Sequence, residues 1–182
     1  AGIETGEYQY SGNSILVQFL TSYFAGVELD VLEQDLGIYR ELLKQTKQEI
    51  TLEYYSILQQ TVANLRSSNA SIDLMGEFYN EQESVPALYE KEDNTGLASF
   101  FGYKLSLCCL FQEVLRGVEV AEGAEKFIAN LGGTICPPAF YFYNCLLRLK
   151  ATELQKGQNQ EIIGESFQNS LELLGKFEMT PQ

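Results

Sequence analysis

The stretch "LASFFGYKLSLCCLFQEVLRG", residues 97–117, decides the fold class of this chain. Its first two-thirds are apolar on most sides of a helix, a pattern typical of a helix that neighbours cover all round. We therefore predict a central helix here, with other helices packed against it. Two adjacent cysteines, Cys108 and Cys109, also raise the question of whether this helix carries half of a metal or redox site.

The cysteine pattern favours packing over chemistry. The chain has four cysteines and no histidine, and its cysteines form no C-x-x-C motif. Adjacent residues on a helix point about 100° apart, so they rarely bind one zinc ion. We interpret Cys108, Cys109, Cys136 and Cys145 as buried thiols that act as small hydrophobic side chains. No metal and no other cofactor is predicted.

Composition narrows the class of protein further. With 182 residues and 45% hydrophobic content, we expect residues 1–182 to form a single globular domain. Asp and Glu total 25 against 12 Lys and Arg, for a formal charge of −13, and such a surface repels nucleic acid and anionic lipid. We expect a cytoplasmic chain, excised from a longer protein, with protein partners. Without histidine, Ser-His-Asp and Cys-His catalysis are excluded.

Helical periodicity extends over most of the chain. Seven segments carry apolar residues at helical spacing: residues 13–25, 28–46, 49–68, 97–117, 118–133, 136–155 and 159–177. Gly26 is the expected C-cap of the first, and the Gly132-Gly133 pair is the expected end of the fifth. Between the third and fourth segments, residues 67–95 are polar, contain Pro86 and are expected to hold only short helical turns.

The order of helix, turn and helix predicts an all-α fold of antiparallel helix pairs. We expect these pairs to stack side by side as an α-solenoid like that of tetratricopeptide repeats, with about seven to eight helices. A weak internal repeat supports this prediction: the spacing of Phe24, Val27 and Val31 recurs downstream. In both copies an aromatic residue closes one helix and two apolar residues begin the next. The second copy is Phe111, Val114 and Val118.

Five blocks of sequence carry a resemblance to a known class of protein. They are "ETGEYQYSG" (residues 4–12), "EQDLGIYRELLKQTKQE" (33–49), "LMGEFYNEQESVPAL" (74–88), "NTGLASFFGYKLSLCCLF" (94–111) and "FYFYNCLLRL" (140–149). In this order they resemble the helical-repeat segment that follows the AAA-like/STAND-like ATPase module of cyanobacterial multi-sensor serine/threonine kinase–histidine kinase proteins. The resemblance implies a non-catalytic tetratricopeptide-like segment between that module and the downstream sensor and kinase domains. None of the catalytic motifs of these kinases lies in this chain.

Other candidate sites are weighed against simple structural roles. No phosphate-binding glycine motif is present. Two groups of carboxylates lack the ligand spacing of a calcium loop, and we interpret them as solvated. They are Glu77, Glu81 and Glu83, and Glu90, Glu92 and Asp93. The aromatic run of residues 140–143 is expected to pack between helix layers, with a partner-binding patch as the alternative.

The polar segment of residues 67–95 is the expected interaction element, because long loops in compact domains are often functional. Its candidate anchors are Phe78, Tyr79, Glu81 and Tyr89. The sequence thus favours a non-catalytic scaffold of a signalling kinase. Two alternatives stay open: an independent peptide-binding adaptor with a concave polar surface, and a small enzyme that uses paired carboxylates in a deep pocket.

Overall fold

The structure is a computed structural model, and it describes residues 8–69 and 71–155. This part of the chain contains seven α-helices and one 3₁₀-helix, η1. They are α1 (Tyr8–Phe24), α2 (Leu29–Gln45), α3 (Glu49–Arg66), α4 (Glu81–Glu90), α5 (Asn94–Leu110), α6 (Val114–Ala124), η1 (Ile128–Leu131) and α7 (Cys136–Gln155). The helix predicted at residues 159–177 lies outside the described residues.

The helices form two layers. Each odd-numbered helix packs on the next odd-numbered one, from α1 through α3 and α5 to α7. The even-numbered helices lie against this layer: α2 contacts α1 and α3, α4 contacts α5, and α6 contacts α5 and α7. Connectors of three or four residues join α1 to α2, α2 to α3, α4 to α5 and α5 to α6, and they make these pairs antiparallel neighbours. Longer segments, residues 67–80 and 125–135, join α3 to α4 and α6 to α7. The predicted all-α stack of helix pairs is therefore confirmed.

Helix α5 is the centre of the stack, as its sequence predicted. It contacts α3, α4, α6, α7 and η1. Most of its side chains are buried, including the polar ones of Ser99, Lys104 and Ser106. Leu97, Leu105 and Leu107 are at most 1% exposed, and each such leucine contributes about 2 kcal/mol of hydrophobic stabilisation. A helix buried on all sides shows no amphipathic stripe, which explains its near-continuous apolar sequence.

Four helices end in the same turn. After α1, α2, α4 and α5, one residue takes a positive φ angle: Gly26 (76°), Lys47 (54°), Glu92 (53°) and Gln112 (61°). In each case the N–H of that residue and the N–H of the next donate to carbonyls three and five residues earlier. These hydrogen bonds define the Schellman motif, which normally has glycine at the left-handed position. Only α1 follows that preference.

The prediction of one helix over residues 97–117 is wrong at its end. Helix α5 stops at Leu110, and α6 begins at Val114. The Schellman turn at Gln112 causes the break, because the N–H of Glu113 donates to the carbonyl of Cys108 at 2.8 Å. The spacing of Phe111 and Val114 had marked this junction correctly. The prediction of one helix over 118–133 also fails, because α6 ends at Ala124 and a separate 3₁₀ turn follows.

The prediction that residues 67–95 hold only short helical turns is also wrong. The ten-residue helix α4 lies within this segment, and the Asn80 side chain caps it by accepting from the N–H of Gln82 at 3.1 Å. Pro86 removes one intrahelical hydrogen bond, yet the helix continues through it. Leu88 compensates by packing fully buried against Leu97 and Phe127.

Candidate functional site

A groove lies where α1, α3, α5 and η1 face one another. Its volume is about 360 Å³, and we call it the inner groove. The apolar part of its lining comes from Leu16, Val17, Leu20, Tyr103 and Leu131. Val17 is 46% exposed, whereas Leu20 and Tyr103 are buried. The inner groove therefore offers an accessible apolar wall on α1 above a buried floor.

Three polar side chains that line the inner groove hydrogen-bond within the fold. Ser99 Oγ donates to the carbonyl of Thr95 at 3.0 Å, and Thr134 Oγ1 donates to that of Leu131 at 2.7 Å. Asn130 Nδ2 donates to the carbonyl of Phe127 at 2.8 Å. No charged residue is among the lining residues in the described part of the chain. The groove thus suits an apolar occupant better than a charged one.

Tyr54, at the edge of the inner groove, is held by a carboxylate. Its hydroxyl donates to both oxygens of Asp93, at 2.7 and 2.8 Å. Asp93 also caps α5 by accepting from the N–H of Gly96 at 2.9 Å. Burial raises the pKa of Tyr54 well above its usual value, and the Asp93 charge raises it further. Tyr54 is therefore protonated at neutral pH, and Asp93 serves α5 and Tyr54 together.

A cluster of aromatic side chains connects α1 with α5 and α7 in the odd-numbered layer. The ring of Tyr103 lies 5.4 Å from that of Tyr23 and 6.0 Å from that of Phe24, while Phe24 and Tyr143 lie 6.3 Å apart. The hydroxyls of Tyr23 and Ser106 are hydrogen-bonded at 2.7 Å. Through these contacts α1, the first helix, reaches α7, the last described one.

The four candidate anchors of the interaction segment do not form one surface. Phe78 is half-buried, and the guanidinium carbon of Arg40 lies 5.4 Å from its ring centroid. Tyr89 is 45% exposed and packs edge-on against Phe127. Tyr79 is buried, and its hydroxyl makes no well-formed hydrogen bond to any described residue. Of these two tyrosines, Tyr89 presents its ring to solvent and Tyr79 does not.

Glu81, the fourth candidate anchor, belongs to a buried ion pair. The ammonium of Lys104 lies 2.5 and 2.6 Å from its two carboxylate oxygens, and the Lys104 side chain is only 8% exposed. One of these oxygens also accepts from the N–H of Leu74 at 2.8 Å. Asp73 extends the network, because its carboxylate lies 2.9 Å from Arg116 and 3.5 Å from Lys104. The network ties residues 73–81 to α5 and α6.

The expectation that both carboxylate groups are solvated is only partly confirmed. Glu77, Glu83, Glu90 and Glu92 are exposed. Glu81 and Asp93 are not, because the first pairs with Lys104 and the second caps α5. No pattern within the segment reveals these partners, since Lys104 lies 23 residues beyond Glu81. A lysine in an otherwise apolar run was the one available signal that a buried anion lay nearby.

The cysteines are packed as predicted, with one exception. Cys108, Cys136 and Cys145 are buried, Cys109 is half-buried, and no disulfide joins the four. Burial raises the pKa of Cys108 to about 11 and that of Cys136 to about 12. Both are therefore thiols at neutral pH. Within residues 8–69 and 71–155, no three Cys, Asp or Glu side chains are grouped closely enough to hold a metal ion.

The aromatic run of residues 140–143 divides between the core and the surface. Phe140 is buried at 1% exposure, and Tyr141 and Tyr143 are half-buried. Phe142 is 53% exposed. Packing between layers is confirmed for Phe140, whereas Phe142 belongs to an outward face of α7.

Comparisons with known proteins add no relative. No protein-family model, no curated protein and no solved structure matches this chain. Among the helices that the structure describes, none is both long and apolar enough to cross a bilayer.

Proposed function

We propose that this chain is a non-catalytic helical-repeat scaffold that binds other protein surfaces. The observation that supports it most directly is the two-layer stack. Asn80 and Asp93 cap helices, Glu81 pairs with Lys104 inside the fold, and the inner groove carries no charged lining residue among those described. Exposed large hydrophobic side chains lie instead on helix faces, including Val31 and Ile38 on α2. Such faces suit contact with other helices.

The placement of this scaffold in a signalling kinase is a further part of the proposal. Its support is the ordered set of sequence blocks in residues 4–149 that resembles the helical segment of cyanobacterial multi-sensor kinases. In that setting the stack links the ATPase module to the sensor and kinase domains. A stack of packed helices transmits a displacement from one end to the other, whereas a flexible linker does not.

ATP turnover by such a kinase tests this placement. We would compare the intact kinase with a version in which residues 1–182 are replaced by a flexible linker of similar reach. A change in turnover, with the ATPase module still folded, is the expected result. Unchanged turnover would contradict a regulatory role in that activity and leave the stack as a spacer.

The inner groove favours a second candidate function, that of a peptide-binding adaptor. Its accessible apolar wall suits an apolar peptide segment.

A peptide library selected for binding to the intact chain provides a ligand, and titration of the chain with that peptide measures its affinity. Val17→Asp puts a charge on the groove wall and should weaken binding about tenfold or more, since an unpaired charge opposes apolar burial. Gln18→Asp, at the next exposed position outside the groove lining, is the matched control. Equal binding by both variants would contradict this function.

A further inference from the structure

Helix α7 carries an exposed apolar stripe. Phe142, Leu146 and Leu149 are 53%, 39% and 45% exposed, and their spacing of four and three residues places them on one side of the helix. We call these three residues the α7 stripe. The opposite side of α7 bears Phe140, Leu147 and Ala151, which are buried in the core. The α7 stripe thus points directly away from the rest of the described stack.

The alternation of the layers indicates what kind of element would cover this face. Helices α1 and α5 are each followed, after three or four residues, by an even-numbered helix that packs on them. Helix α3 differs, because residues 67–80 follow it and α4 packs on α5. Helix α7 is the next odd-numbered helix in the series. By the same rule, an even-numbered helix that follows α7 would lie antiparallel to it and cover part of its outward side.

The sequence after α7 contains a segment of the right kind. In residues 159–177, Ile163, Phe167, Leu171 and Leu174 recur at spacings of four, four and three, which is the pattern of one apolar helix face. Only residues 156–158 separate this segment from α7, the same length as the α5–α6 connector. Nineteen helical residues span about 28 Å, close to the length of α7.

We propose that residues 159–177 dock as an antiparallel helix on the α7 stripe. The connector sets the register, so Phe167 lies near Leu149 and Leu146, and Leu171 lies near Phe142. The contact pairs three apolar side chains of α7 with the apolar face of the segment. A second copy of the chain is the competing occupant of the same stripe, and the experiment separates the two.

Tryptophan fluorescence reports whether the stripe is covered. The chain contains no tryptophan, so Phe142→Trp in the full chain places a single reporter on the stripe. With residues 159–177 docked, its emission is blue-shifted and acrylamide quenches it weakly. Adding Phe167→Asp and Leu171→Asp should shift the emission to longer wavelength and increase quenching. Asn169→Asp and Glu172→Gln, at positions on the side of the segment away from its apolar face, should leave both unchanged.

Two outcomes would overturn the proposal. One is a solvent-exposed reporter in the chain that carries only Phe142→Trp. The other is a shielded reporter that survives the Asp substitutions and becomes exposed on dilution, which would assign the stripe to a second copy.

A cross-link provides a test that does not depend on a destabilised variant. Leu149→Cys combined with Phe167→Cys should form an intramolecular disulfide under mild oxidant, identified by mass spectrometry of the digested protein. Leu149→Cys combined with Glu165→Cys is the control and should form it much more slowly, since helical spacing places position 165 on the side of the proposed helix opposite its apolar face. Equal cross-linking by both pairs would contradict a defined docked helix.

Discussion

Tyr79 was a candidate anchor for a partner protein, but its side chain is buried. The centroid of its ring lies 6.4 Å from that of Phe100 on α5. Its hydroxyl makes no well-formed hydrogen bond to a described residue. Burial is the main cause that raises the pKa of Tyr79, and the nearby Ser84 hydroxyl lowers the pKa by less. The Tyr79 hydroxyl is therefore buried with Ser84 as a weak partner at best.

Removal of this hydroxyl should stabilise the protein. We expect Tyr79→Phe to raise the free energy of unfolding by about 1 kcal/mol, because a buried donor without a well-formed hydrogen bond carries its desolvation cost. Urea unfolding followed by circular dichroism measures the change. Tyr55→Phe is the control and should destabilise, because the Tyr55 hydroxyl donates to the carbonyl of Leu36 at 3.0 Å. A loss of stability in Tyr79→Phe would show that the hydroxyl has a partner in solution.

The Glu81–Lys104 pair should be sensitive to removal of either partner. Lys104→Met should lower the free energy of unfolding by about 3 kcal/mol, because it leaves a carboxylate buried without its cation. Lys91→Met is the matched control, since Lys91 is 64% exposed and lies 3.9 Å from Glu53. Its effect should stay below about 1 kcal/mol. Equal losses in the two variants, measured by urea unfolding, would contradict a special role for the buried pair.

At the scale of the helices, a glycine placed at a non-glycine Schellman turn should stabilise the protein. A left-handed conformation costs an ordinary residue about 1–2 kcal/mol, whereas glycine adopts it freely but loses more chain entropy on folding. Gln112→Gly should therefore raise the free energy of unfolding by roughly 0.5–1 kcal/mol. Gln18→Gly, at an exposed position inside α1, should lower it by about 1 kcal/mol. Destabilisation by both would contradict the assigned turn at Gln112.

The same turns explain which helix boundaries the sequence predicted. Gly26 marked the end of α1 because glycine signals a left-handed residue. Gln112 gave no such signal, so the apolar pattern predicted a single helix that ran from α5 into α6. Helix α4 was missed because Pro86 and the acidic residues around it suggested a loop. Its stability depends on Leu88, whose partner Phe127 is distant in sequence. Local pattern therefore predicted the helices of strong periodicity, and tertiary contacts decided the others.

For the whole molecule, buried thiols and phenols predict loss of stability at high pH. The pKa of Cys136 in the folded state, about 12, lies above its ordinary value of 9.0, and Cys108, Tyr23 and Tyr103 are shifted in the same direction by burial. These groups ionise more readily when the chain is unfolded. Their stabilising effect is complete below the unfolded pKa and is lost as pH rises towards the folded value.

The free energy of unfolding should therefore show no loss from these groups below about pH 8 and fall above pH 9. Urea unfolding at a series of pH values measures this dependence. Cys136→Ala removes one of the titrating groups and should make the decline less steep, although it lowers stability at neutral pH. An unchanged slope in Cys136→Ala would show that this thiol titrates alike in both states.

The layered architecture of the molecule followed from the sequence, but the inner groove did not. Helical periodicity and short connectors are enough to predict stacked pairs. The groove forms where side chains of α1, α3, α5 and η1 meet, and α1 is joined to α5 and α7 by contacts of Tyr23 and Phe24 with Tyr103 and Tyr143, more than 75 residues away. No local pattern encodes such a contact.

The contact between α1 and α7 has a mechanical consequence. In an open solenoid each repeat contacts only its neighbours. A pulling force therefore extends the stack gradually as the force increases. Here the first and last described helices hold each other through Phe24 and Tyr143. A force applied along the layer meets this contact first, so the stack resists until the contact breaks and only then extends. The molecule would therefore extend only above a threshold force, the force that breaks the contact between α1 and α7.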